Sequence, residues 1–206
     1  MLTLYLMRHG QTDLNIAGRM QGQMATSLND VGRSQAKEAA TFIKERGLKF
    51  DKIYVSPLPR AVETAQLAVG EEHVPFIEDE RIMEWSFGPY EGAFVKDLPK
   101  DAFDFIHNPE GLPTPEGMET LVSMRERVQD FFSDLEEKEM PADGSDKTIL
   151  VVSHGLFLRA TLSVLLSRRW NDLLDLWFHN CSICEIHGFG EKSPCEAVMI
   201  YGKEER

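Results

Sequence analysis

Leu4, Tyr5, Leu6 and Met7 form an apolar run that ends abruptly in Arg8-His9-Gly10. Such a run reads as a strand, Leu2–Met7, covered on both faces. A strand of that kind belongs to a sheet with helices above and below it, and this narrows the fold more than any other feature. The rest of the chain keeps the alternation. Lys52–Val55, Val74–Ile77 and the β-branched Thr148–Val152 read as further strands, and Ser182–Ile186 with Ala197–Tyr201 as a final pair. Asn29 caps a helix over about Asp30–Arg46, with Ala36, Ala39, Ala40 and Ile43 on one stripe and Gly47 as its stop. Ser56-Pro57 starts another, to about Val69. Met118–Glu139 is a long amphipathic helix with Leu121, Met124, Val128, Phe131, Phe132 and Leu135 inward. Leu156–Leu166 is helical and apolar nearly all round, and Asp172–Phe178 reads as a shorter helix. Residues 11–29 read as loop, and 81–116 as irregular chain with short helices near 94–98 and 101–106.

The expected fold is α/β: a three-layer α/β/α sandwich with a mostly parallel sheet. A chain of 206 residues, 42% of them hydrophobic, sustains one substantial core. One domain is expected over 1–206, with a lid-like insertion at about 85–117.

Charge and cysteine content bound the partners. Asp and Glu outnumber Lys and Arg by 34 to 22, a net charge of −12. Such a surface repels nucleic acid and anionic membranes, so any anion site is a local positive pocket on a negative body. No apolar stretch approaches the ~20 residues that span a bilayer, and the apolar N-terminal run is too short for a secretory signal. Cys181, Cys184 and Cys195 cannot all pair within the chain, which favours reduced thiols and a cytoplasmic location. Cys181-Ser-Ile-Cys184, flanked by His179 and His187, suggests zinc or redox chemistry. In a strand, however, positions 181 and 184 face opposite ways, and His187 lies ~20 Å along from Cys181. Small buried hydrophobes are the better account of both cysteines. His73 and His107 read as exposed loop residues.

In open α/β sheets, ligands bind beyond the carboxyl ends of the strands. Three strands end in groups with chemistry. The first runs into Arg8-His9-Gly10, and the second leads through Ser56-Pro57 to Arg60. The Thr148–Val152 strand ends in Ser153-His154-Gly155. If these strands are parallel, two arginines and two histidines converge on one edge. Guanidinium binds an oxyanion bidentately and cannot lose its proton. Imidazole can donate to a phosphate oxygen or attack phosphorus through a neutral nitrogen. The set reads as a phosphate pocket, with His9 a candidate nucleophile.

Five stretches, in order, carry a resemblance to a known family: MRHGQTDLN, GRMQG, SPLPRAVETA, MEWSFGPYEG and VVSHGLFLRA. Together they resemble the histidine phosphatase superfamily, which includes cofactor-dependent phosphoglycerate mutases and many phosphatases. The resemblance implies a phosphoglycerate mutase-like fold and the following roles. His9 is the nucleophile that becomes phosphohistidine. Arg8, Arg60 and His154 surround the phosphoryl oxygens, and Asn15 adds a further phosphate contact. Glu84 protonates the leaving oxygen. Gln21 and Gly22 belong to a loop that approaches the substrate, while Thr64 and Glu91 look structural. Many relatives carry Asp and Pro in the loop after Gln-Gly, where this chain has Gln23-Met24-Ala25-Thr26-Ser27. That departure weakens transfer of substrate preference and leaves the phosphate pocket intact.

The expected activity is metal-independent hydrolysis of a small phosphate monoester through phosphohistidine, with no cofactor, no nucleic acid and no membrane partner. Two arginines and His154 supply the positive field. The alternatives are a phosphoglycerate mutase and a non-catalytic phosphate-binding relative. The complete set His9, Arg8, Arg60, Glu84 and His154 argues against the latter, since a pure binder needs no acid. A closing cover suits a mutase, and the short reach of 85–117 together with the few residues after Tyr201 favours the hydrolase. Physiological substrate and oligomeric state are not legible in the sequence.

Overall fold

In the computed structural model, strand β1 (Leu2–Arg8) lies inside a sheet whose described strands run in the order β3-β2-β4-β1-β5-β6. The structure describes residues 1–70, 76–173, 176–190 and 195–202. Strands β2 (Lys52–Val55), β3 (Phe76–Glu78) and β4 (Lys147–Ser153) run parallel to β1. The last two, β5 (Ile183–His187) and β6 (Glu196–Tyr201), are antiparallel additions at one edge. The register sets Arg8 beside Ser153, and Val55 beside Val152. The residues that follow β1, β2 and β4 therefore leave the sheet together.

Successive strand residues face opposite layers. Leu4, Leu6, Ile149 and Val151 join one core with α4 (Lys100–His107), α5 (Leu121–Glu139) and α6 (Gly155–Leu165). Tyr5, Met7, Leu150 and Val152 join the other, beneath α2 (Asp30–Glu45) and α3 (Pro59–Val69). This is the expected three-layer sandwich. Among the described residues no helix is long and apolar enough to cross a membrane.

Several local expectations are corrected. Helix α3 starts at Pro59, with Leu58 as its cap residue, rather than at Ser56-Pro57. The Ser56 hydroxyl is taken by His154 instead, and Pro59 occupies the first helical position, which Pro suits. Residues 11–29 are not all loop: Asp13–Ile16 form a single turn of helix, α1, closed by a capping box between Thr12 and Asn15. Trp170–Leu173 is a 3₁₀ turn, and Leu176–Phe178 is not helical, so the helix expected over Asp172–Phe178 is absent from its described part. Of the strand expected at Val74–Ile77, residues 74 and 75 lie outside the described residues, as does His73. His107 is exposed but ends α4 rather than lying in a loop. Cys181 precedes β5 with φ 58, yet Cys181 and Cys184 do enter opposite cores. Burial pushes both thiols up to about 12.

The loop after β1 is held by close backbone packing against α2. A Cβ on Gly10 would lie 2.6 Å from the Gly32 carbonyl oxygen, so no larger residue fits there without moving the helix. Asn29 accepts from the Gly32 N–H at 2.8 Å and fixes where α2 begins.

Candidate active site

His9 follows β1 directly and is 2% exposed. Its Nδ1 lies 2.7 Å from the Gly10 carbonyl, which can only accept, so Nδ1 carries the proton. Nε2 faces the Nε–H of Arg60 at 3.3 Å and therefore presents its lone pair. Burial, followed by the fields of Arg60 and Arg8, holds the ring well below the ordinary imidazole range. His9 is thus a neutral imidazole with an unprotonated Nε2.

Arg60, in the first turn of α3, is fully buried. It donates to the carbonyls of Met24 at 2.8 Å and Gly22 at 2.7 Å, and to the Thr26 hydroxyl at 3.2 Å. Burial lowers its pKa to about 10, against which the Glu84 carboxylate acts. Arg8 is half-buried and donates to the Phe178 carbonyl at 2.7 Å, while its Nε is a buried donor with no partner.

His154 caps α6, with ring centroids 5.1 Å from His9. Its Nε2 lies 2.7 Å from the Ser56 hydroxyl, and its Nδ1 is buried without a partner. Burial, with Arg60, His9 and Arg8 adding to it, holds this ring well below the imidazole range too. The expected positive field therefore comes from the two arginines. His154 contributes a neutral donor, because a buried ring beside two guanidiniums does not hold a second proton.

Glu84 reaches the start of α6. Its Oε1 accepts from the N–H groups of Trp85 and Phe157, each at 2.9 Å, and Oε2 accepts from Leu156 N–H at 3.3 Å. The helix N-terminus is a natural seat for a carboxylate. Its charge acts on both Arg8 and Arg60, so the five groups share one space.

The remaining residues singled out in the sequence lie nearby but are engaged with one another. Asn15 Oδ1 accepts from the Thr12 backbone and hydroxyl at 3.1 and 3.2 Å. Gln21 Oε1 accepts from the hydroxyls of Thr12 and Thr26 at 3.0 and 2.9 Å. Gly22 supplies its carbonyl to Arg60. Thr64 bonds the Gly10 N–H and the Arg60 carbonyl, and Glu91 accepts from Gln23 N–H and Phe87 N–H.

Sequence reasoning missed Ser56, Thr26 and Asn180, whose Nδ2 donates to the His9 carbonyl at 3.0 Å. Ser56 alone carried a signal, its place at the end of β2 beside the other strand ends. The model of the histidine phosphatase superfamily (branch 1) matches residues 4–199.

The chain belongs to the histidine phosphatase superfamily.

Phosphoserine phosphatase 1 of Hydrogenobacter thermophilus is 30% identical over 185 residues, covering 88% of this chain and 82% of the relative. The 2,3-bisphosphoglycerate-dependent phosphoglycerate mutase of Mesorhizobium japonicum is 31% identical over 180 residues, covering 84% and 86%. A phosphoserine phosphatase mutant from Entamoeba histolytica, solved with phosphoserine, superposes at a TM-score of 0.77 with 29% identity, covering 98% of this chain and 97% of that one. This histidine phosphatase thus shares its fold and most of its length with hydrolases and a mutase alike.

Proposed function

We propose that this chain hydrolyses small phosphate monoesters through a phosphohistidine on His9. The observation that carries the reading is the neutral His9 ring, its Nε2 lone pair facing a guanidinium in a pocket shared with Arg8, His154 and Glu84. Substrate enters with its phosphoryl oxygens on Arg8, Arg60 and the Nδ1–H of His154. Nε2 then forms a bond to phosphorus as the bond to the leaving oxygen breaks. Glu84 takes up the proton of a monoanionic phosphoryl group as substrate binds and gives it to that oxygen as the bond breaks. Oε2 is the better candidate donor, since it accepts one long bond while Oε1 accepts two short ones. The fixed donors neutralise the equatorial oxygens without reorganising. Water then attacks phosphorus, its proton passes to Glu84, and the Nε2–phosphorus bond breaks. Free phosphate leaves with that proton, and the enzyme returns to its starting state.

Asn15, Gln21 and Gly22 line the approach, and residues 85–117 cover the leaving-group side. The substrate class is a small phosphorylated metabolite. A net charge of −12 disfavours nucleic acid, and the buried thiols of Cys181 and Cys184 suit the cytoplasm.

The test is release of phosphate from p-nitrophenyl phosphate in the presence of a chelator, followed by acid quench. Wild type should turn over and carry an acid-labile, base-stable phosphoryl group. His9→Ala should lose at least ~10⁴-fold in kcat. Activity above ~1% in His9→Ala removes His9 as nucleophile.

A further inference from the structure

An attacking imidazole needs one nitrogen open and the other held. In His9 the holding group is the Gly10 carbonyl, 2.7 Å from Nδ1. That bond sets both the tautomer and the direction of the ring. Where the carbonyl points depends on the backbone of His9 and Gly10, so whatever fixes these two residues also aims Nε2.

Both poles of the peptide bond from His9 to Gly10 are bound from outside β1. On one side the Gly10 N–H donates to the Thr64 hydroxyl at 2.9 Å, and that hydroxyl gives its own proton to the Arg60 carbonyl at 2.6 Å. On the other side the His9 carbonyl accepts from Asn180 Nδ2 at 3.0 Å and from the Cys181 N–H at 3.3 Å. The Cys181 N–H is shared with the Arg8 carbonyl at 3.1 Å, so Asn180 supplies the shorter and undivided bond. A carbonyl only accepts, which puts the amide NH₂ of Asn180 on His9, not its oxygen.

The backbone leaves its ordinary conformations to make this contact. Cys181 has φ 58, in the left-handed region that L side chains avoid, just before β5 begins at Ile183. Continued as a strand, residues 180 and 181 would send their side chains to opposite faces of the sheet. The left-handed residue instead brings the Cys181 N–H and the Asn180 side chain to one carbonyl. The same stretch holds Arg8, whose N–H donates to the Ser182 carbonyl at 3.2 Å and whose Nη1 donates to the Phe178 carbonyl at 2.7 Å. Strain kept at such a place points to a local task.

We propose that Asn180 is a positioning residue for the reaction: it anchors the His9 carbonyl opposite the Thr64 anchor on the Gly10 N–H, and so locks the peptide whose next carbonyl holds Nδ1–H and aims Nε2 at phosphorus. The inference rests on the reading of His9 as nucleophile and adds the group that orients it. With the His9 carbonyl released, the Gly10 carbonyl drifts from Nδ1 and the ring turns. A reacting atom displaced by about 1 Å costs on the order of a hundredfold in rate, with the phosphate-binding groups untouched.

The test compares wild type with Asn180→Leu, which keeps the branched shape and removes the donor. Asn180→Ala takes its place if leucine is not tolerated. Three readouts are taken: kcat on p-nitrophenyl phosphate, the inhibition constant of inorganic phosphate, and solvent exchange of the His9 Nδ1 proton by NMR. In the variant kcat should fall ten- to hundredfold, the phosphate constant should change less than threefold, and the Nδ1 proton should exchange at least tenfold faster. A residue that only closes β5 onto β1 would weaken kcat and phosphate binding together, and that result overturns the proposal. So does a kcat within threefold of wild type, or a lower kcat with unchanged exchange. If wild type shows no turnover, or His9→Ala keeps it, the hydrolase reading falls instead. The Nδ1 exchange then decides alone: equal rates in wild type and variant mean that Asn180 does not hold the ring.

Discussion

The Nε–H of Arg60 lies 3.3 Å from Nε2 of His9, so the guanidinium occupies the lone pair that the reaction needs. A substrate phosphoryl group arriving there offers Arg60 better acceptors than an imidazole nitrogen. On the proposed mechanism the arginine would turn to the oxygens as Nε2 is released to phosphorus, so that one residue would guard the nucleophile in the free enzyme and stabilise charge in the loaded one.

The same environment makes stability depend on pH in a set direction. Folded His9 and His154 titrate well below 6.5, the value of an unperturbed imidazole. Above 6.5 both rings are neutral in folded and unfolded chain alike, and pH has no leverage through them. Below 6.5 the unfolded chain takes up protons that the folded chain refuses, so stability falls with pH. The limiting slope is about 1.4 kcal/mol per pH unit for each ring. Denaturant midpoints from pH 7.5 to 5 in a buffer without phosphate should drop more steeply for wild type than for His9→Ala. Equal slopes would show that His9 is not held neutral by the fold.

Ser56 should set the tautomer of His154. Its oxygen receives a long bond from the Leu58 N–H, which leaves the hydroxyl proton for His154 Nε2 at 2.7 Å. The ring proton then stays on Nδ1, the buried atom without a partner. Ser56→Ala should lower kcat at least about tenfold and stability by about 1 kcal/mol. Nitrogen chemical shifts of His154 give the direct check: Nδ1–H in wild type and a mixture in the variant. An Nε2–H tautomer in wild type contradicts the assignment.

The strands β1, β2 and β4 were legible because runs buried on both faces have no polar positions, and the groups that break them stand out. Arg8, His9 and His154 were legible for that reason, and Arg60 as the cation that follows the end of β2. The start of α3 was not, since Ser56-Pro57-Leu58-Pro59 offers two prolines and only tertiary contacts choose between them. The turn at Asp13–Ile16 is too short to show a period. The neutrality of His154 needed burial and the placement of two guanidiniums, neither of which a strand pattern supplies. Arg60 is held by the carbonyls of Gly22 and Met24, and Glu84 by amides of α6. Backbone groups of this kind leave no mark in side-chain identity.

Arg127 on α5 should act on catalysis without touching substrate. It donates to the carbonyls of Arg81 at 2.6 Å and Met83 at 3.1 Å, and grips the Glu119 carboxylate at 2.7 and 2.9 Å. Glu119 in turn accepts from the Ser86 N–H at 3.2 Å. The backbone on both sides of Glu84 is therefore clamped. Arg127→Met leaves the half-buried Glu119 unpaired, at a cost of about 3 kcal/mol. Measured below the unfolding transition, kcat should fall tenfold or more. Vanadate affinity, which the proposed pocket assigns to Arg8, Arg60 and His154, should change less than threefold. A parallel loss of both would place Arg127 in general folding rather than in the support of Glu84.

Hydrolysis should win over mutase chemistry, and the reason lies in the cations of the leaving-group side. A mutase working through 2,3-bisphosphoglycerate must hold a second phosphate while phosphohistidine waits, and must keep water out. Residues 85–117 contain no arginine, and their lysines are Lys96 and Lys100. Lys96 lies over the Phe94 ring, and Lys100 pairs with Asp104 on the surface. Neither forms a cage like the one around His9. With the dianion poorly held, the intermediate should meet water before it meets a turned substrate. The measurement supplies 3-phosphoglycerate with catalytic 2,3-bisphosphoglycerate and follows both products. Free phosphate should form at least tenfold faster than 2-phosphoglycerate, a barrier difference of about 1.4 kcal/mol. Faster 2-phosphoglycerate would mean that the second phosphate is held by groups other than these lysines, and the chain would be a mutase.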